Sequence, residues 1–173
     1  MKLNRAASKF NTELATDAYG TAEFYVQFEP MSYSKIDGVS VLKRSISVAP
    51  DVVMPVRGAI NIHGQVYLVG HGAPDYWQDS TIRVTYIIQG ADGLGGLTSI
   101  VDSLDDVDPV NAYVAAVFSK YMPNANDNSK YPPQYEIFLA GTELAPADSL
   151  IILGSRVFLV KQSYLSTSGL RIA

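Results

Sequence analysis

Apolar and polar side chains alternate along much of the chain, which is the pattern of β-strands that bury one face. The alternation is clear at 24–28, where Phe24, Val26 and Phe28 are spaced two apart, and it is clearest at 82–88. Strand patterns also recur near the end of the chain, at 135–139, 150–153, 156–160 and 170–172. The sequence therefore predicts a mainly β fold with a barrel- or sandwich-like body.

A tight β-hairpin is predicted at His63-Gly64, because this dipeptide lies between two apolar runs and ends in glycine. Residues 62–69 are echoed, approximately, by residues 153–160. Two similar hairpin units would form either one pseudo-symmetric barrel or two small ones.

Residues 2–16 predict a short N-terminal helix that ends near Gly20. Its apolar side chains form one narrow stripe, made of Leu3, Ala7, Phe10 and Leu14. A terminal helix with so thin a stripe docks either on a neighbouring subunit or on its own barrel, and the pattern does not separate the two. In the first case Phe10 and Leu14 are interface residues.

Two segments have an irregular pattern. In the predicted strand 39–48 the apolar phase slips between Val41 and Leu42, which a β-bulge would explain. Periodicity favours a helix over 108–121, opened by an Asp-Pro pair, although the same residues also alternate as a strand would.

Three stretches rich in turn-forming or acidic residues are predicted loops, at 90–99, 103–108 and 122–134. The last is unusually long for a compact domain, and long loops of this kind are commonly functional. Its polar residues are Asn124, Asn126, Asp127, Asn128, Ser129 and Lys130.

The length of 173 residues fits a single β-rich domain over 1–173. Only 17% of the residues are charged, which is low for a free-standing monomer and suggests that partners cover part of the surface. The formal net charge is −4, and no basic cluster is present that would grip nucleic-acid phosphates. Cysteine is absent, as suits a protein assembled in a reducing cytosol.

No targeting segment is evident. Residues 1–10 carry charges with no apolar stretch behind them, so no signal peptide is expected. No apolar run approaches the roughly 18 residues that a membrane helix needs, so no membrane association is expected.

No catalytic, metal or cofactor site can be assembled from the sequence, and we expect the protein not to be an enzyme. The two histidines, His63 and His71, are interpreted as turn residues, because a metal site needs more ligands than they supply. Asp75 and Asp79 would form a carboxylate pair, but a rim around an aromatic anchor is the favoured interpretation. The remaining acidic cluster lacks calcium-loop spacing and comprises Asp102, Asp105, Asp106 and Asp108.

Tyr76 and the only tryptophan, Trp77, lie in a predicted loop beside a proline. Aromatic side chains in such a loop either cap the barrel core or anchor an interface, and capping is slightly favoured. If they are exposed, they could also form a stacking platform for a carbohydrate.

Two segments, about a third of the chain together, resemble head-tail connector proteins of tailed bacteriophages. They are VRGAINIHGQVYLVGHGAPDYWQDSTIRVTYIIQ (56–89) and PADSLIILGSRVFLVKQSYLSTSGLRIA (146–173), the second being similar to the closing unit of head-closure, or stopper, members. The resemblance implies a barrel-like body with protruding arms. It also favours strands over a helix in the 108–121 region, as part of a long hairpin arm at 112–140.

The same resemblance implies a structural virion protein that is assembled in the host cytoplasm and forms a homo-oligomeric ring. Such a ring joins the portal or adaptor to the tail proteins and helps to close the DNA channel, with DNA passing through without specific binding. Candidate channel-facing loops are then 90–108 and 122–134. The rival interpretations are a tail terminator or other tail accessory protein and, in another class, a ligand-binding β-barrel that uses Tyr76 and Trp77.

Overall fold

The computed structural model describes residues 12–36, 39–99, 110–120, 134–140, 145–165 and 170–172. These ranges contain strands and turns and no helix, which confirms the mainly β prediction. The strands are β1 (Thr12–Asp17), β2 (Glu23–Phe28), β3 (Ser32–Ile36), β4 (Val39–Val48), β5 (Ala59–Ile62), β6 (Gln65–Trp77), β7 (Ser80–Gly90), β8 (Gly93–Ser99), β9 (Val110–Lys120), β10 (Gln134–Leu139), β11 (Ser149–Leu153), β12 (Arg156–Leu159), β13 (Tyr164–Leu165) and β14 (Arg171–Ile172).

The chain divides into two compact units, Met1–Gly90 and Ala91–Ala173. The first unit is a closed antiparallel barrel of six strands in the ring order β1-β2-β4-β7-β6-β5. The ring closes where β2 pairs with β4, with Gln27 opposite Ser47 and Phe28 opposite Ile46. The prediction of a single domain stays a prediction.

Alternate side chains of the barrel strands point into its core. Ala15, Val26, Ile46 and Ile60 are completely buried there, and Val69 of β6 and Ile88 of β7 are almost completely buried beside them. Burial of each large aliphatic side chain stabilises the fold by about 1.5–3 kcal/mol relative to exposure. The two-residue period of apolar positions in the sequence therefore corresponds to the face of each strand that lines this core.

The predicted hairpin at His63-Gly64 is confirmed, and it joins β5 to β6. Both turn residues have positive φ, 52° and 81°, as a type I′ turn requires. The echoed hairpin joins β11 to β12 in the second unit, where Gly154 has φ 58°. The echo therefore corresponds to two hairpins, one in each unit.

The second unit is an open antiparallel sheet in the order β12-β11-β8-β9-β10-β14-β13. The sheet is curled, as a contact between two strands that are not neighbours in it shows. The ring of Phe158 on β12 packs edge-to-face on that of Tyr135 on β10, with centroids 5.3 Å apart. Its core contains Val114, Ile137 and Ile151 among other buried aliphatic residues. The barrel-like body is thus one closed barrel and one curled half-barrel sheet.

The N-terminal helix prediction is wrong for residues 12–16, which belong to β1, and residues 2–11 lie outside the described ranges. In β1, Ala15 is buried in the barrel core while Leu14 points outward. The spacing of the apolar residues by four, three and four predicts a helix only if Leu14 lies on the same buried face as the other three residues of the stripe. Pairing with β2 and β5 instead selects the two-residue period.

The helix favoured by periodicity over 108–121 is also wrong for residues 110–120, because Val110–Lys120 is a strand. It forms a hairpin with Gln134–Leu139, as the family resemblance favoured. Both Val114 and Ala115 are buried, so the middle of the strand is apolar on both faces, and such a run mimics a helical stripe. A protruding arm is not shown, since β9 is paired on both sides within the sheet.

The Gly-rich stretch 90–99 is not a loop, because Gly93–Ser99 is a strand between β11 and β9. A Cβ on Gly95 would lie 3.1 Å from a methyl group of Val114 and 3.2 Å from the carbonyl oxygen of Ile152. The glycine is therefore required by close packing between strands and not by a turn.

The predicted bulge between Val41 and Leu42 is wrong, because the β3–β4 register runs unbroken across these residues. The strand changes partners at this end: its first half pairs with β3, and from Arg44 onward it pairs with β7. The apolar phase therefore slips where the strand leaves the barrel wall.

A Gly95→Ala variant is expected to lose about 1–2 kcal/mol of unfolding free energy, because the rigid Ile152 carbonyl cannot move away from the added methyl group. Gly93→Ala in the same strand is the matched control, since its Cβ would meet only a methyl group of Leu153 at 3.6 Å. Chemical denaturation of both variants measures the difference. Equal stabilities would contradict the packing account of Gly95.

Candidate docking surface

One end of the closed barrel carries three projecting segments. Because Val48 pairs with Val84 and Ala59 pairs with Leu68, the connection 49–58 emerges at the end beyond which the β6–β7 hairpin continues. The β1–β2 turn emerges at the same end, since Asp17, the last residue of β1, pairs with Ile60. The strand pairings therefore place all three segments at the same end of the barrel.

Large apolar side chains are exposed at this end. Five of them have between 53% and 86% of their surface exposed, and we call this group the apolar end: Val53, Val56, Tyr76, Trp77 and Ile82. Among the first-unit residues whose side chains the structure describes, only Met31 is another large apolar side chain that is more than half exposed. Clustered apolar exposure of this kind marks an interaction surface more often than scattered exposure does.

The connection 49–58 is held so that its valines face outward. Val52 and Met54 pack against the barrel core, so the intervening Val53 points away from it. The segment is fastened at its end by the Gly58 amide, which donates to the Pro55 carbonyl at 2.9 Å, and by the Gly58 carbonyl, which accepts from the backbone N–H of Val69. The valines are therefore presented by an anchored segment.

The aromatic residues lie at the tip of the β6–β7 hairpin, where Trp77 is opposite Ser80 across a two-residue turn. The turn residues Gln78 and Asp79 both have positive φ. Lower in the hairpin, the ring of Tyr86 covers Gly72, at which a Cβ would lie 2.6 Å from the ring. This close approach holds the two strands together below the aromatic tip.

An ion-pair network fixes the outer face of the hairpin to the barrel wall. Arg83 donates to Asp75 through Nε at 2.5 Å and to Glu29 through Nη1 at 2.8 Å. Glu29 also accepts a hydrogen bond from the buried Ser47. The hydrogen bond with Asp75, followed by the charge of Glu29, raises the pKa of Arg83 above its usual range.

This network orients the hairpin more than it stabilises the fold. Arg83 and Asp75 are both substantially exposed, and exposed ion pairs contribute at most about 1 kcal/mol. The Asp75 carboxylate is occupied by Arg83, with the Thr85 hydroxyl at 3.5 Å. It therefore serves the hairpin's own structure, and the interpretation of Asp75 and Asp79 as an interface rim stays a prediction.

The charges around the apolar end are predominantly acidic. The segments 17–23, 49–58 and 71–83 contain five acidic residues and two arginines. Arg83 is paired as described, and the Arg57 guanidinium stacks on the ring of Tyr19 at 3.7 Å from its centroid. The segments that carry the apolar end are thus acidic on balance, and both of their arginines are engaged within the barrel unit.

The residues predicted as interface residues do not all lie on the same surface. Tyr76 and Trp77 belong to the apolar end, and the capping interpretation is wrong because both are exposed. Leu14 is on the outer barrel wall opposite Tyr25, away from this end, and both are partly exposed. Phe10 lies outside the described residues.

The loop residues predicted to face a channel are also outside the described ranges: Asn124, Asn126, Asp127, Asn128, Ser129 and Lys130. In the other candidate loop, 90–108, the first part is strand β8 and residues 100–108 lie outside those ranges. Their role in a channel stays a prediction.

Sequence reasoning missed Val53, Val56 and Ile82. A signal for the two valines was present, since Pro50 and Pro55 disfavour a regular strand between them and so place an apolar run in a connection. The alternation at 82–88 predicts that Ile82 shares the buried face of Val84 and Tyr86. It is exposed because this part of the β6–β7 hairpin continues beyond the barrel wall, which ends at the pairing of Val48 with Val84.

The histidines do not assemble a metal site in the part of the chain that the structure describes. His63 Nε2 lies 2.7 Å from the carboxylate of Glu13 on the exposed barrel surface, and His71 is exposed on β6. Within the described ranges, no group of three histidine or acidic side chains is placed to hold a metal ion. In those ranges there is likewise no helix of sufficient length and apolar character to cross a membrane.

Chelation of divalent metals is expected to leave the melting temperature unchanged, because the described residues contain no group of side chains that could hold a metal ion. A structural metal would bind the folded state alone, so its removal would lower the melting temperature. Thermal unfolding with and without a strong chelator measures this. A fall of many degrees, reversed by added Zn²⁺ or Ca²⁺, would contradict the assignment of the histidines and aspartates to turns and ion pairs.

Comparisons of the chain with models of protein families, with curated proteins and with solved structures each found no match. The functional conclusion therefore depends on the surface itself, that is, on the apolar end of the barrel and the residues that hold it in place.

Proposed function

We propose that this chain is a structural assembly protein that docks on a partner protein through the apolar end of its barrel. The observation that carries the proposal is the exposure of five large apolar side chains at that one end. Leaving them in water forgoes about 25 cal/mol for each Å² of apolar surface that a partner would cover. A protein that works as a free monomer has no evident reason to retain such a patch.

The composition of the patch favours a protein partner. Interfaces are enriched in tyrosine and tryptophan at their centres, and the apolar end supplies one of each. The acidic residues of the same segments would be matched by basic residues on the partner, which would set the orientation of docking. The partner is therefore an apolar protein surface bordered by lysine or arginine.

More specifically, we propose a ring-forming connector that joins the portal to the tail of a phage particle. This rests on the resemblance of segments 56–89 and 146–173, and the first of these contains four of the five residues of the apolar end. A net charge of −4 suits a channel wall past which DNA slides, because phosphates are not attracted to it. A tail terminator would use the same surface at a neighbouring position in the particle.

A carbohydrate-binding barrel is the second candidate, favoured by the exposure of Tyr76 and Trp77 at a hairpin tip. Sugar sites combine a stacking aromatic ring with hydrogen-bonding groups aimed at the hydroxyls. Here the neighbouring Asp75 is engaged by Arg83, and Val53 and Val56 offer no hydrogen bond. The aliphatic part of the patch therefore favours protein docking.

Trp77→Ala is expected to leave the melting temperature nearly unchanged, because surface truncations usually alter stability by less than about 0.5 kcal/mol. In cells that produce the particle, the same variant should leave heads and tails unjoined, and infectious yield should fall by about tenfold or more if Trp77 is an interface hot spot. Tyr164→Ala, an exposed aromatic truncation in the second unit, is the matched control and should give normal yield.

Antibody labelling of intact particles gives the location. The connector proposal requires label at the head–tail joint, and particles without label would contradict it. If Trp77→Ala particles form normally while the purified chain binds a glycan array in a Trp77-dependent manner, the carbohydrate-binding function replaces docking.

A further inference from the structure

Among the residues that the structure describes, the open sheet of the second unit ends at β12, whose only strand partner there is β11. The Val160 amide donates to the Ser149 carbonyl at 3.0 Å, so the backbone groups of residues 160, 158 and 156 face β11. Because backbone groups alternate along an antiparallel strand, the N–H and C=O groups of Val157 and Leu159 face away from the sheet. This edge offers two donors and two acceptors to a further strand.

The side chains of the same strand also alternate. Phe158 packs on Tyr135 and Val160 is buried, whereas Val157 and Leu159 are 61% and 44% exposed on the opposite face. Natural edge strands are usually protected by proline, a bulge or a charge in the strand. Between Val157 and Leu159 there is no such protection, since all three residues there are apolar.

The one charge on β12 does not guard the edge. The Arg156 guanidinium lies 5.6 Å from the ring centroid of Phe158 and 6.0 Å from that of Tyr135, so it is directed at the aromatic pair of the inner face. The exposed edge is therefore an apolar strand that can accept a partner without first burying a charge.

We propose that β12 pairs with β12 of a second copy of this chain, antiparallel, about a two-fold axis at Phe158. In this register Val157 of each copy is opposite Leu159 of the other, and each such pair exchanges both backbone hydrogen bonds. The exposed apolar side chains then cover one another as cross-strand pairs. The two open sheets become one continuous sheet.

The occupant is a second copy because the edge is complementary to itself. Around the Phe158 axis, Arg156 is opposite Val160, and Lys161 is opposite Ser155, so no cation faces another cation directly. An interface of this kind uses the same patch on both partners and closes after two copies. It uses none of the residues of the apolar end, and it does not rest on the proposed connector function.

The first test is the mass of the purified full chain by sedimentation equilibrium, which should give a two-copy species. Val157→Lys should weaken the association by about tenfold or more, because it puts a charged amine into an apolar cross-strand pair with Leu159 of the other copy. Met31→Lys, which adds the same charge at an exposed apolar side chain of the first unit that belongs to neither proposed surface, should not weaken it. A monomeric wild-type chain, or association that Met31→Lys disrupts and Val157→Lys does not, would overturn the proposal.

The second test reads the register, and the absence of native cysteine makes it clean. Single variants Val157→Cys and Leu159→Cys are oxidised mildly, either alone or mixed. The mixture should form the disulfide-linked dimer in clear excess over either variant alone, since only residues 157 and 159 are directly opposite. Stronger linking within the Val157→Cys sample alone would indicate a parallel or shifted pairing and would overturn the proposed axis, as would no linking in any sample.

Discussion

The antiparallel pairing of β2 with β4, with Phe28 opposite Ile46, closes the barrel on which the other features of the first unit depend. Without it the six strands would form an open sheet with two unpaired edges, and the core around Val26 and Ile46 would be open on one side. Closure also fixes the barrel's two ends. The connection 49–58, which carries Val53, emerges at the same end as the β6–β7 hairpin.

The two units differ in whether their sheets leave unpaired edges. In the first, every strand of the ring has two neighbours, and the most exposed large apolar side chains, Val53 and Val56, are carried by a segment that extends beyond the wall. In the second, the described strands form a curled sheet that does not close, and the most exposed large apolar side chain there, Val157, lies on the edge strand β12. One unit therefore offers side chains to a partner, and the other offers backbone groups as well.

The sequence predicted the parts of this fold that short-range chemistry determines. The His63-Gly64 turn and the strands with clean alternation were found, because a positive-φ turn and a single buried face each leave a local pattern. Strand β9, apolar on both faces, and the Gly-rich β8 were misassigned, because their form is imposed by neighbours distant in the chain. Two of the five residues of the candidate surface, Tyr76 and Trp77, were found, because aromatic residues beside a proline stand out in a predicted loop. Val53 was missed, since only barrel closure brings 49–58 to the same end.

The most direct test of the docking claim uses the only tryptophan in the chain as a reporter. A chain labelled with 5-fluorotryptophan gives one ¹⁹F resonance, that of Trp77, and a soluble gadolinium chelate broadens it in proportion to its exposure. The resonance of the free chain should be strongly broadened, because the side chain is 67% exposed. In the assembled particle or partner complex it should be shifted and protected from the chelate. A resonance that is equally broadened in the free and assembled states would contradict the claim that the apolar end is the docking surface.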